Sequence, residues 1–229
     1  LTIKGIGDDG AVIKSPTKKE ILISSDLLVE GVHFDTTYMS LAHIGYKSVV
    51  VNLSDIYAMN ADPSQITISL GVSDKYCVED LEDVYSGVSL AAKNYNINVV
   101  GGDISASFAG LIISISALGF QSKNKIVYRG GAKQNDLIVV SGNLGASYLG
   151  LQLLQREKSV LDGHKLPKLA LPDIKEKLKD YKYLIQRQIK PEINMGAVNF
   201  FKKNNLQPNS MIDVSDGLCA DLDHLCAAS

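Results

Sequence analysis

No apolar run in these 229 residues approaches the roughly 20 needed to cross a bilayer, and the opening residues lack the basic and apolar stretches of a signal peptide. Cysteine is scarce: Cys77, Cys219 and Cys226 cannot all pair, and their spacing lacks the close pairs of a structural zinc site. Basic charge is not in excess either, with 23 Lys and Arg against 25 Asp and Glu, so no cationic footprint exists for phosphate-rich nucleic acid. No P-loop sequence, internal repeat or low-complexity tract occurs. A cytoplasmic protein with no membrane or nucleic-acid partner is the expectation. Leu1 is not an initiator, and the last residues run on as a helix without a stop signal, so a piece of a longer chain is expected.

Hydrophobic residues make up 45% of the chain, enough for a substantial core. Short β-rich runs recur at residues 21–25, 66–72, 97–100, 111–120, 137–141 and 211–214, most of them bounded by Gly, Asp or Asn. Helical patterns lie between. Ser40 is placed to cap a helix carrying Leu41, Ile44, Val51 and Ile56, and residues 78–95 have helical length and end among asparagines. The class is mixed α and β. The polar stretch 121–125, followed by Arg129-Gly130-Gly131, reads as a connection between a first domain, residues 1–122, and a second, residues 134–229. Residues 166–190 are charged and proline-edged and read as a solvated helix.

The chemistry points to aspartate. Asp26 ends one apolar run beside Ser24 and Ser25, Asp103 follows Gly101-Gly102 after another, and Asp213 and Asp216 bracket Val214-Ser215. Asp8 and Asp9 follow Gly5-Ile6-Gly7, while Asp55 lies on the helix that also holds Asn52 one turn earlier. Any one of these acids is explained by turn chemistry, because aspartate bonds local backbone amides. As a converging set they would repel one another unless cations intervened. Carboxylate and hydroxyl oxygens without a thiolate or imidazole cluster suit a hard ion, and Mg2+ is the usual choice beside phosphates such as those of ATP.

Other motifs carry less. Gly5-Ile6-Gly7-Asp8-Asp9-Gly10 matches G-x-G-x-x-G in form, but two aspartates would repel a bare pyrophosphate and only four residues precede it. Arg129 could clamp a nucleotide phosphate through its bidentate fork or could equally be a surface arginine in a turn. Gly142-Asn143-Leu144-Gly145 reads as a plain strand-to-helix turn, and His33 stands out from the other three histidines only by following Asp26 by seven residues.

Five strings in order, namely 5–9, 24–34 with Ser24-Ser25-Asp26 and Gly31-Val32-His33-Phe34, 51–59 with Asn52-Leu53-Ser54-Asp55, 101–103, and 212–218 with Asp213-Val214-Ser215-Asp216-Gly217, resemble thiamine-monophosphate kinase. The wider group includes aminoimidazole ribonucleotide synthetase. The resemblance implies an N-terminal α/β domain whose sheet closes into a barrel across a homodimer, followed by an α/β sandwich domain. By motif position it implies that Asp9, Ser24, Ser25, Asp26, Asp55, Asp103, Asp213 and Asp216 serve several Mg2+ ions. It further implies that Gly102, Asp103, Arg129, Ser215 and Tyr95 touch ATP, that His33 faces thiamine monophosphate, and that Asp55 and Asp103 matter most for catalysis. Gly10, Ser25, Asn60 and Ile104-Ser105 depart mildly from the family pattern. The implied reaction is direct phosphoryl transfer from ATP to thiamine monophosphate. The competing readings are a related ATP-dependent synthetase and a non-catalytic nucleotide-binding module.

Overall fold

Apolar residues alternate along three long strands, and this period of two decides which face of the sheet is buried. The computed structural model describes residues 1–164 and 179–229. Its sheet contains β1 (Thr2–Lys4), β2 (Ala11–Ile13), β3 (Lys19–Val29), β4 (Asp62–Val72), β5 (Asn98–Ala106) and β6 (Ile112–Ser122), in the order β1-β2-β3-β6-β4-β5. All neighbours are antiparallel except β4 and β5, which are parallel. Leu22, Ser24 and Leu28 of β3, Ile66, Ile68 and Leu70 of β4, and Ile113, Ile115 and Ala117 of β6 are buried on one face.

Two helices cover that face. Helix α1 (Leu41–Ala58) starts at Ser40, whose side chain accepts from the His43 amide, and buries Ile44, Val49, Leu53 and Ile56. Helix α2 (Val78–Tyr95) links β4 to β5 and ends at Asn96 in the left-handed conformation. The two helices meet at glycines: a Cβ on Gly45 would lie 2.0 Å from the Val84 carbonyl oxygen, and one on Gly87 would lie 1.8 Å from that of Ala42. Backbone therefore packs on backbone. Gly119 leaves room for the Ile56 side chain, whose Cγ2 occupies the space a Cβ would need, so α1 sits close to β6.

Beyond the sheet come α3 (Ala146–His164), α4 (Lys182–Ile189), α5 (Met195–Asn204) and α6 (Leu218–Ala228). Ile189 and Ile193 pack against the core formed by the sheet, α1 and α2. None of the helices is long and apolar enough to cross a membrane, among the described residues.

The mixed α and β class is as expected, but two expected strands do not form. Residues 137–141 and 211–214 have no strand assignment, and Leu137, Ile138 and Val139 are 90%, 70% and 81% exposed. The physical reason is the missing ladder: no described strand pairs with either segment, and β-rich composition cannot satisfy backbone groups without a neighbour. The expected helix over 166–190 is found at α4, while residues 165–178 lie outside the described residues.

Candidate functional site

Asp9, Asp55 and Asp213 come from three separate segments, the β1–β2 loop, the last turn and a half of α1, and the loop before α6, yet one carboxylate oxygen of each lies within 4.8 Å of the others. β3 supplies the floor. Alternation turns Ser24 and Asp26 toward α1, where the Ser24 hydroxyl donates to Asp55 Oδ2 and the Asp26 backbone N–H donates to Asn52 Oδ1 at 3.0 Å. Asn52 is fully buried and its Nδ2 donates to the Ser48 carbonyl at 2.9 Å, so it ties β3 to α1 beside the acids. From the position before Asp55 on α1, the Ser54 hydroxyl donates to Asp213 Oδ2 at 2.6 Å.

Like charges so close resist ionisation. Burial, reinforced by Asp213, Asp26 and Asp9, pushes Asp55 up to about 8 despite the bond from Ser24. Burial also lifts Asp9 to about 6, outweighing Arg129, whose Nε and Nη2 lie 3.1 and 2.6 Å from Asp9 Oδ1. Asp213 is raised by burial, then by Asp221 and Asp26, and Asp26 is raised by burial. The second oxygen of Asp9, Oδ2, is buried without a hydrogen-bond partner. An oxygen-only donor set, mutually repelling acids and an orphaned carboxylate oxygen together fit a hard divalent cation.

The other predicted residues divide. Ser25 faces away from the acids, bonding the Ile115 carbonyl at 3.2 Å and Ser116 Oγ at 3.0 Å on the open face of the sheet. Asp103 is on the far strand: its register partner is Ser69, which pairs with Ser114, which pairs with Leu27. Three strand spacings, about 14 Å, thus separate its backbone from β3. Gly102 and Asp103 line an open groove of about 490 Å³ with Ile68 and Tyr85. Asp216 is exposed and outside the triad. The Ser215 and Gly217 amides are held by Asp221, a buried carboxylate in the first turn of α6, at 3.1 and 3.0 Å. Sequence reasoning missed Asp221; an acid four residues after Gly217, at a helix start, was the available signal.

Tyr95 is engaged elsewhere, its hydroxyl donating to Glu192 Oε2 at 2.7 Å and accepting from the Ile193 amide. His33 Nδ1 accepts from the Val29 amide at 3.0 Å, which leaves Nε2 as the ring's donor. With Tyr38, Gln155, Lys158 and Gln188 it lines a cavity of about 420 Å³.

A mostly antiparallel sheet backed by two helices and edged by a carboxylate cluster that could hold a cation defines the class. Residues 7–121 match the family described as AIR synthase related protein, N-terminal domain. Thiamine-monophosphate kinase of Buchnera aphidicola subsp. Schizaphis graminum is 37% identical over 97% of this chain and 62% of its own length. That of Aquifex aeolicus is 36% identical over 100% of this chain and 67% of its own length. The solved structure described as AaThiL complexed with AMPPCP and TMP superposes with a TM-score of 0.80 at 35% identity, over 98% of this chain and 65% of that one. The chain belongs to the thiamine-monophosphate kinase family of AIR synthase related proteins, and it spans about two thirds of the length of these relatives.

Proposed function

We propose that the protein is a Mg2+-dependent kinase that phosphorylates thiamine monophosphate to thiamine diphosphate at the expense of ATP. The observation that carries this reading is the gathering of Asp9, Asp55 and Asp213 around a buried, unpartnered oxygen. The likeness to a structure holding AMPPCP and TMP supports it.

In the reaction, an oxygen of the acceptor's phosphate forms a bond to the γ-phosphorus while the bond to the bridging oxygen breaks, and ADP departs with the electron pair. A phosphate oxygen is already ionised near neutral pH, so no strong general base is required. Several Mg2+ ions, when bound, would supply neutralising charge to the transferring group. Asp9, Asp55 and Asp213 would hold them, with Asp26 and Ser24 beside them. Arg129, already at the rim on Asp9, is placed to swing its fork to a nucleotide phosphate. His33 presents Nε2 to the cavity that would take the organic part of the acceptor.

We further infer a homodimer. β5 is an edge strand exposed along its whole length, with Val99, Val100 and Ile104 41%, 54% and 54% exposed, which supports pairing with a second copy. Ser25 and Asp103 lie on the open sheet face, so their contribution to a cation site, and that of Gly102 to nucleotide, would be made across that interface. The confinement of all six strands found among the described residues to 2–122 supports a first domain over 1–122 and a second over 134–229. Three free, exposed cysteines suit the reducing cytoplasm.

The test is turnover by the full-length protein of thiamine monophosphate and ATP with Mg2+, and with EDTA. Stoichiometric thiamine diphosphate and ADP are expected, abolished by EDTA. ADP and inorganic phosphate without a diphosphate product would favour the synthetase reading.

A further inference from the structure

Lys47 sits midway along α1 on the stripe that carries Val51, Ser54 and Ala58. The bond from Ser54 to Asp213 fixes where this stripe faces: toward the segment before α6. Lys47 is half-buried, and burial holds its ammonium below the usual lysine range. Yet it makes no hydrogen bond, ion pair or ring contact among the described residues, whereas Lys75, Lys158, Lys190 and Lys202 are each paired with a carboxylate. Its nitrogen keeps some access to water, and shielding a cation in part without a partner carries a cost that an anionic ligand removes.

Its position says which anion. Lys47 precedes Ser54 by seven residues, about 10 Å along the helix. Moving from Ser54 toward the start of α1 leads from the carboxylate cluster to Tyr38 and His33, which line the 420 Å³ cavity. Along α1, Lys47 therefore stands at a level between Ser54, which bonds the cluster's Asp213, and the helix start that follows Tyr38 of the cavity. Arg129 engages the cluster at Asp9, which comes from the β1–β2 loop and not from α1. An acceptor whose organic part occupied the cavity would carry its phosphate along the stretch of α1 that Lys47 commands.

We propose that Lys47 binds the phosphate of the acceptor and holds its attacking oxygen toward the carboxylate cluster, a positioning contact distinct from the nucleotide clamp at Arg129. This assignment rests on the kinase reading for the identity of the acceptor. Lys47 makes and breaks no covalent bond in it.

The experiment uses the full-length protein and the variants K47M and K47R, each checked for an unchanged melting profile. The KM for thiamine monophosphate is expected to rise about tenfold or more in K47M, with partial recovery in K47R. The KM for ATP and inhibition by thiamine, which lacks the phosphate, should stay within about twofold. A thiamine monophosphate KM in K47M within twofold of the parent, or a loss that falls on ATP, overturns the assignment. If the parent itself does not turn over thiamine monophosphate, the kinase reading fails separately. Calorimetry with thiamine monophosphate and with thiamine then decides Lys47: a phosphate-dependent gain in affinity lost in K47M supports it, and equal affinities refute it.

Discussion

Replacing Asp55 with asparagine should stabilise the protein in the absence of cation while destroying its response to Mg2+. The asparagine keeps an acceptor for the Ser24 hydroxyl but removes a charge facing Asp213, Asp26 and Asp9. In the unfolded chain the Asp55 carboxyl ionises at its ordinary value of 3.8, whereas burial and its neighbours delay this to about 8 in the fold. The penalty is thus absent below the lower value, grows as pH rises between the two, and is constant above the upper one. Each pH step of one costs about 1.4 kcal/mol, so the ceiling near neutrality is about 5 kcal/mol, which solvent access to this half-buried group reduces to about 1–3 kcal/mol. For a chain of this size that corresponds to a melting temperature higher by about 3–8 °C in EDTA at slightly alkaline pH. Differential scanning calorimetry with EDTA and with excess Mg2+ is the assay. A D55N protein that melts several degrees lower in EDTA, or that gains as much from Mg2+ as its parent, would refute the electrostatic account of the cluster.

Because protons and cation compete for Asp9, at about 6, and Asp55, at about 8, the apparent Mg2+ affinity should climb from about pH 5 to about 8, by about tenfold per pH step for each group still protonated, and level off above. A flat calorimetric profile over that range would contradict it. Asn52→Ala strands the Asp26 amide and removes a second bond to the Ser48 carbonyl, and urea unfolding should record a loss of about 1–3 kcal/mol; a change below about 0.5 kcal/mol would mean the bridge is dispensable. If Asp103 serves a partner's cluster, co-refolding inactive D55N and D103N full-length chains should restore about a quarter of parental activity through mixed dimers with one intact site. No recovery would place Asp103 in its own chain's site or in none.

Much of this architecture is legible in the residues, for identifiable reasons. Helix α2 coincides with the expected 78–95 because its apolar positions repeat at helical spacing and asparagines close it. Asp55 is legible as a helix acid, Asp213 as a strand-end acid and Asp9 as one of a pair after Gly5-Ile6-Gly7, and the three converge. β5 is longer than the expected 97–100 because Gly101-Gly102-Asp103 reads as a loop until parallel pairing with β4 draws it into the sheet. β1 and β2, at three residues each, are too short to leave a periodic trace. Residues 137–141 carry strand composition without a partner, and composition alone does not make a ladder. Faces escaped the motif reading as well: adjacent Ser24 and Ser25 look alike in a string, but the pleat sends them to opposite sides of the sheet.

The glycine contacts between α1 and α2 reach further than packing. With side chains absent at Gly45 and Gly87, the two rods are keyed together by their main chains, leaving no compliant layer in which α1 could slip or roll. Ser54 and Asp55 lie about 15 Å down the same rod from that key, so their aim is inherited from it. A methyl group added at Gly87, on the other helix, would shift the aim of Ser54 and Asp55 without touching either.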